Sequence, residues 1–175
     1  MFSIEYEDRE VLDYLNMLAV RIDDMTPAMH DIGQNLSETT QRRFDTSTSP
    51  DGDPWAPNTE VTILEYLGLY KSSFKKDGGE SAKGVARRGS KKPLIGDTGS
   101  LFSTIFHDAG RDFAVIGSPM EYAITQQFGA RQGQYGRDRR NHPIPWGDIP
   151  ARPFLGASEE DKRSILDIVQ GYLKP

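Results

Sequence analysis

One stretch of this chain keeps a period of two, and that stretch decides the fold class. From Pro93 to Gly129 the sequence reads PLIGDTGSLFSTIFHDAGRDFAVIGSPMEYAITQQFG. Within it Leu101, Ser103, Ile105 and His107 alternate with Phe102, Thr104, Phe106 and Asp108. Such alternation, rich in β-branched and aromatic residues, predicts a strand. A turn at Asp108-Ala109-Gly110 follows, because glycine accepts the positive φ that closes a hairpin loop. Phe113 to Ile116 reads as the returning strand, ended by Gly117-Ser118-Pro119. Ser118 as N-cap and Pro119 in the first turn then predict a helix. Met120, Ala123, Ile124, Gln127 and Phe128 share one face of it, and Gly129 closes it. The expected class is α+β: helices packed on a small antiparallel β-sheet, with long flexible loops. Nothing in this stretch resembles a catalytic apparatus.

The remaining periodic runs are helical. Val11, Leu15, Leu18, Ile22 and Met25, widened by Leu12 and Ala19, predict an amphipathic helix from about residue 7 to 25. Thr26 as N-cap and Pro27 at the first helical position start a second helix at once. Its stripe is Met29, Ile32, Leu36, Thr40 and Phe44. Thr46 to Asn58 is a loop rich in Pro, Gly, Asp and Ser, pinned to the body by Trp55. A third helix is expected over Thr59–Tyr70. Ile149 to Gly156, IPARPFLG, must be extended, since each proline disfavours the α conformation before it. Its prolines confine it to a sheet edge or to a segment outside a sheet. Ser158 followed by Glu159, Glu160 and Asp161 opens the last helix, whose face is Ile165, Ile168, Val169, Tyr172 and Leu173. There is no internal repeat.

At 175 residues a single domain is expected over 1–175, with a mainly helical part at 1–70, a mobile arm at 71–92 and the rest at 93–175. A mean hydropathy of −0.60 points to long solvated or partner-dependent segments. No apolar run approaches the ~18 residues of a membrane span, and the acidic beginning does not read as a signal peptide. Without cysteine there is no disulfide, thiol nucleophile or thiolate metal site, which fits synthesis in the cytoplasm. Charge is segregated. Residues 1–60 carry 13 acids and 4 bases, a balance of −9. Residues 71–92 carry 8 bases and 2 acids, and residues 131–142 carry 4 bases and 1 acid, together +9. Both basic stretches have too few apolar side chains to offset an ordering cost of ~1–2 kcal/mol per residue, so both are expected to be mobile until a partner orders them.

The chemistry-bearing residues do not assemble into a reaction site. His30-Asp31 and His107-Asp108 invite a metal hydrolase, but only His142 remains as a further imidazole, and ligands must converge. Gly99-Ser100 and Gly117-Ser118 lack the second glycine of a nucleophile elbow, and phosphate-binding glycine loops are absent. Asp23-Asp24 and Glu159-Glu160 suit helix ends. The expectation is no enzyme, no cofactor and no metal. The candidate contact residues are Lys83, Arg87, Arg88, Lys91, Lys92, Arg131, Arg137, Arg139 and Arg140. Either they pair with acids on a neighbouring subunit, or they track a phosphate backbone as a nucleic-acid-binding protein would. Aromatic interleaving is missing between Lys75 and Lys92, so base stacking is not supported. Arg152, Phe154 and Leu155 are expected to dock into the core or onto a neighbour, with Arg152 on a carboxylate or on backbone carbonyls. Trp55, Tyr122, Phe128 and Gly129 are the expected structural anchors.

In order along the chain stand Arg43-Phe44, Ser49-Pro50-Asp51-Gly52, Trp55, Leu94-Ile95-x-x-Thr98-Gly99-x-Leu101, Ile116-Gly117-Ser118, Tyr122-Ala123, Gln127-Phe128-Gly129 and Ile149 to Gly156. Over roughly residues 35–173 this series resembles the virion morphogenesis proteins of tailed phages, the tail-completion (S-like) family also found in Mu-like phages. Gln126 stands where members of that family often carry histidine, a further argument against a metal role. The resemblance implies a structural protein of the neck or the top of the tail, made in the host cytoplasm and carried in the virion. It further implies assembly as a ring and no catalysis; the expected partners are the chain itself as a hexameric ring and other neck and tail proteins, with passing DNA contact through the basic stretches and no membrane.

Overall fold

The computed structural model describes residues 8–96 and 98–174. In chain order the helices are α1 (Arg9–Asp23), α2 (Thr26–Thr46), α3 (Glu60–Gly68), α4 (Ala82–Ser90) and α5 (Ser100–Ser103), then α6 (Ala123–Phe128) and α7 (Glu159–Leu173). A 3-10 turn spans Lys71–Ser73, and strands β1 (Phe106–Ala109) and β2 (Ala114–Gly117) lie between α5 and α6. The class is α+β, as expected. Two compact units share the chain. One takes residues up to 39, 106–117 and from 157; the other takes 40–105 and 118–156.

In the first unit Asp8 caps α1, its carboxylate accepting from the amides of Glu10 and Val11 at 3.0 and 3.3 Å. The start expected at residue 7 lies outside the described residues. At the α1–α2 corner Asp24 accepts from the Thr26 amide at 3.0 Å, so Thr26 is the first helical residue rather than the cap. Hydrogen bonds from Thr26 hold the Asp24 carboxyl below its ordinary range. α7 closes on this corner: the Tyr172 hydroxyl donates to Asp24 O at 2.7 Å, and Arg21 donates to Tyr172 O at 2.6 Å. The Ser158–Asp161 capping box starts α7. β1 and β2 pair antiparallel, Phe106 opposite Gly117 and Ala109 opposite Ala114. His107 lies over Gly33 of α2, where an added Cβ would stand 2.9 Å from the imidazole.

The alternation from Leu101 proved misleading. Its first half is α5, and the strand begins only at Phe106. Gly99 takes φ +61, and the Thr104 hydroxyl closes the turn on Ser100 O at 2.7 Å. Leu101 in α5 and Ile105 just beyond it are both buried, and a spacing of four fits one face of a helix as readily as one face of a strand, so the pattern does not discriminate. The hairpin loop likewise shifts to Gly110–Phe113, with β2 one residue later than expected. α6 begins at Ala123 rather than at Pro119; Met120 to Ala123 is a turn, with Ser118 Oγ accepting from the Met120 amide at 3.3 Å.

The second unit is built on an aromatic centre. Phe44 and Phe154 are fully buried, with Trp55, Leu101, Ile105 and Ala123 around them. Phe44 meets Trp55, Phe154 and Phe102 at ring distances of 5.4, 5.5 and 5.9 Å. The stretch 71–92, expected as a mobile arm, contains the 3-10 turn and α4. Phe74 bridges Glu80, Ser81 caps α4 through the Gly84 amide, and Ser73 is fully buried. Its contacts are backbone packing and charge rather than apolar burial, which is why hydropathy did not reveal them. Residues 130–149 form a narrow antiparallel excursion. Ala130 pairs with Ile149 and Arg137 with Pro143, and Asp138 accepts from the amides of Arg140 and His142 at 2.8 and 2.9 Å.

Two glycines of α4 make a paired prediction. A Cβ on Gly84 would lie 2.2 Å from Ser73 O, whereas one on Gly89 meets nothing within 4 Å. Gly89→Ala should therefore stabilise by about 0.5–1 kcal/mol through helix propensity. Gly84→Ala should destabilise by about 1–3 kcal/mol through overpacking. Urea unfolding of the two variants checks the sign difference.

Candidate functional site

Gln126-Gln127-Phe128-Gly129 and the extended 150–156 segment hold each other in the second unit. Gln127 Oε1 accepts from the amides of Phe154 and Leu155, both at 3.0 Å, while its Nε2 donates to Leu155 O at 2.9 Å. Arg152 lies buried, its guanidinium donating to Ala56 O and Pro57 O at 2.8 and 2.9 Å. Desolvation pushes its pKa down. Trp55 Nε1 donates to Pro153 O at 2.8 Å, and Arg43 donates to Phe154 O and Gly156 O at 3.0 and 2.8 Å. Gly129, at φ +74, lets the chain pass within 2.7 Å of where its Cβ would meet Ile149 O. Loop 46–58, α6 and the 150–156 segment thus form one hydrogen-bonded body, with the carbonyls of a proline-rich strand taken by Arg and Trp side chains.

Above this body opens a cleft of about 750 Å³. Val61 of α3, Leu94, Ile95, Tyr122, Trp146 and Pro150 give it apolar walls, and Lys91, Lys92 and Arg152 outnumber Asp148 in its lining. Trp146 is 73% exposed at its lip. Leu94 holds φ +61, a left-handed conformation costly for a branched side chain and of the kind that collects at functional sites.

Several expected contact residues are committed elsewhere. Arg88 is clamped by Glu60 at 2.7 Å and by Glu80, and Arg87 lies 4.4 Å over the Tyr70 ring. Lys91 donates to Ile95 O at 2.7 Å and lies 4.2 Å over Tyr66. Lys92 faces Asp45 at 3.5 Å, Arg137 donates to Asn141 O at 2.8 Å, and Lys83, Arg131, Arg139 and Arg140 are exposed. Arg152 and Phe154 are enclosed within their own unit, so neither is a surface for a neighbour; Leu155 is half-buried beside the aromatic centre. Trp55 and Gly129 anchor the unit. Phe128 does not: it is 75% exposed, and Tyr122 stands half-open on the cleft, because a six-residue α6 turns only Ala123 fully inward. The cleft itself was not foreseen from the sequence; its signal was Trp146, a large aromatic between Pro145 and Gly147.

The Arg88 clamp ties α4 to α3 and carries a pH dependence. Glu60 is held below its ordinary value by its hydrogen bond to Arg88. A depressed carboxyl stabilises the fold above its unfolded value, and that contribution is lost as pH falls through the folded one. Protection factors of the α4 amides, that is exchange rates corrected for the intrinsic pH dependence, should fall as the solution is acidified through the glutamate range. Glu60→Gln should remove most of that response.

His30 and His107 meet edge to face at 5.0 Å, with Ser37 Oγ 3.4 Å from His107 Nδ1, while His142 pairs with Asp138 at 3.1 Å. Among the described residues no three His, Asp or Glu are placed to hold a metal ion, and no helix is long and apolar enough to cross a membrane.

The second unit is thus braced around a stiff proline segment and carries an open, apolar-walled cleft. Residues 6–174 match the model of the phage virion morphogenesis family, and the chain belongs to that family. It is 35% identical over 82 residues to the Mu-like prophage FluMu G protein 2 of Haemophilus influenzae, covering 47% of this chain and 52% of that protein. It is also 35% identical over 72 residues to the putative capsid assembly protein G of Escherichia phage Mu, 41% of each. The chain thus spans about half the length, or less, of the curated relatives it matches. No solved structure matches it. Family membership makes this a protein of phage virion assembly.

Proposed function

We propose that the chain is a structural, non-catalytic component of the neck or head-proximal tail of a tailed phage, completing the tail for head joining as a ring of identical subunits. The observation that carries this reading is the convergence of the signature segments. Arg43, Trp55, Gln127, Gly129 and 150–156 are spent on holding one another, not on a reaction centre. They set up the cleft from behind and leave its lip of Trp146 and Tyr122 open to a partner. A phage lacking this chain should accumulate unjoined heads and tails, and a labelled copy should appear at one end of the purified tail. Normal yields of joined particles without the chain would overturn the reading.

Nucleic-acid binding through 71–92 and 131–142 is the second reading. It keeps the support of Lys71, Lys75, Lys76 and Lys83, which have no carboxylate partner among the described residues. Retention on DNA with a steep salt slope is its signature.

A further inference from the structure

α1 is an amphipathic helix with no buried residue. Val11, Leu12, Leu15 and Ile22 are each more than half exposed and lie on adjoining positions of one face, while Leu18 within the same stripe and Met17 beside it are largely covered. An apolar stripe of that length is left open only where a partner covers it. The cleft of the second unit is the matching vacancy: concave, apolar-walled, and with Trp146 exposed at its lip. A helix of 15 residues, about 22 Å at ~1.5 Å per residue, suits the helix-in-groove mode, in which anchors at i, i+4 and i+11 enter a hydrophobic groove.

Charge selects the pairing. Over residues 8–24, Asp8, Glu10, Asp13, Asp23 and Asp24 stand against Arg9 and Arg21, with Arg21 turned onto Tyr172 O and Lys174 O; Arg111 pairs with Asp23 at the far end, so the exposed N-terminal half stays acidic. The cleft lining holds Lys91, Lys92 and the buried Arg152 against Asp148, with Asp45 beside Lys92, and so stays net cationic. Two α1 helices brought together would repel; α1 and the cleft attract. We infer that α1 of one copy seats in the Val61–Tyr122–Trp146 cleft of the next. Because the two surfaces differ, the contact is heterologous and propagates head to tail, closing into a ring where the rotation allows. This rests on the reading above that the chain assembles with itself, and it names the surfaces.

Leu15→Asp and Trp146→Ala each spoil one side of the contact at an exposed position, so both variants should keep the wild-type circular dichroism melt. By light scattering the wild-type chain should self-associate with concentration. Each variant alone should associate at least ~10-fold more weakly, the range of a central anchor. Mixed one to one, L15D offers an intact cleft and W146A an intact α1, so the mixture should form a dimer and stop there. Two results overturn the inference: W146A associating like wild type, which together with a weakened L15D would signal an α1–α1 contact, or the mixture remaining monomeric. Val11→Asp repeats the α1 test should L15D melt early. A wild-type chain that stays monomeric yet still joins heads to tails removes this interface and leaves the virion role standing.

Discussion

Phe154→Ala is expected to lower the stability of the chain by ~3–5 kcal/mol, because the ring is fully enclosed and its neighbours cannot collapse onto the space. Phe44 lies 5.5 Å from Phe154 and 5.4 Å from Trp55, ring to ring, in one cluster. Phe44 is held at the end of a long helix, and Trp55 is tethered through Nε1 to the carbonyl of Pro153. Closing the void would require moving the backbone that Arg43, Gln127 and Trp55 clamp together. For a chain of this size the melting temperature should fall by roughly 6–20 °C. An unchanged melt would remove Phe154 from the centre of the unit.

The second large effect is expected at Arg152. Its guanidinium is the donor for Ala56 O and Pro57 O, and both its planarity and its charge are used. Arg152→Met keeps the volume but leaves those carbonyls without their donor. At ~1.5–3 kcal/mol for each hydrogen bond to a charged group, the loss should be about 3–5 kcal/mol in urea unfolding. Arg152→Lys should recover only part of it, since an ammonium cannot span both carbonyls with a rigid fork. Full recovery by lysine would mean that charge alone, not the fork, holds loop 46–58.

Much of this architecture was legible in the chain. The stripe Val11–Leu15–Leu18–Ile22 specifies α1 within a residue or two of its ends, and Ser158 with Asp161 specifies the start of α7. Both signals are local, set by helical periodicity and by capping, so no tertiary knowledge is needed. IPARPFLG had to be extended for the same reason: proline restricts the backbone before it whatever lies nearby. The order of short motifs sufficed to identify the family.

The structure decided what local signals leave open. Leu101 and Ile105 fit a strand or a turn of helix equally, and the aromatic centre around Phe44 settled the matter by burying both. Residues 71–92 read as too polar for elements of their own, because hydropathy counts apolar side chains. The contacts there are instead Gly84 against Ser73 O, Arg87 over Tyr70, and Arg88 between two glutamates. Phe128 and Phe154 are the same residue type in equally suggestive motifs, yet one is exposed and the other enclosed. Composition and periodicity fix which residues can be helical, extended or apolar. Which of them face solvent, and therefore a partner, depends on long-range packing that no single stretch of the chain encodes.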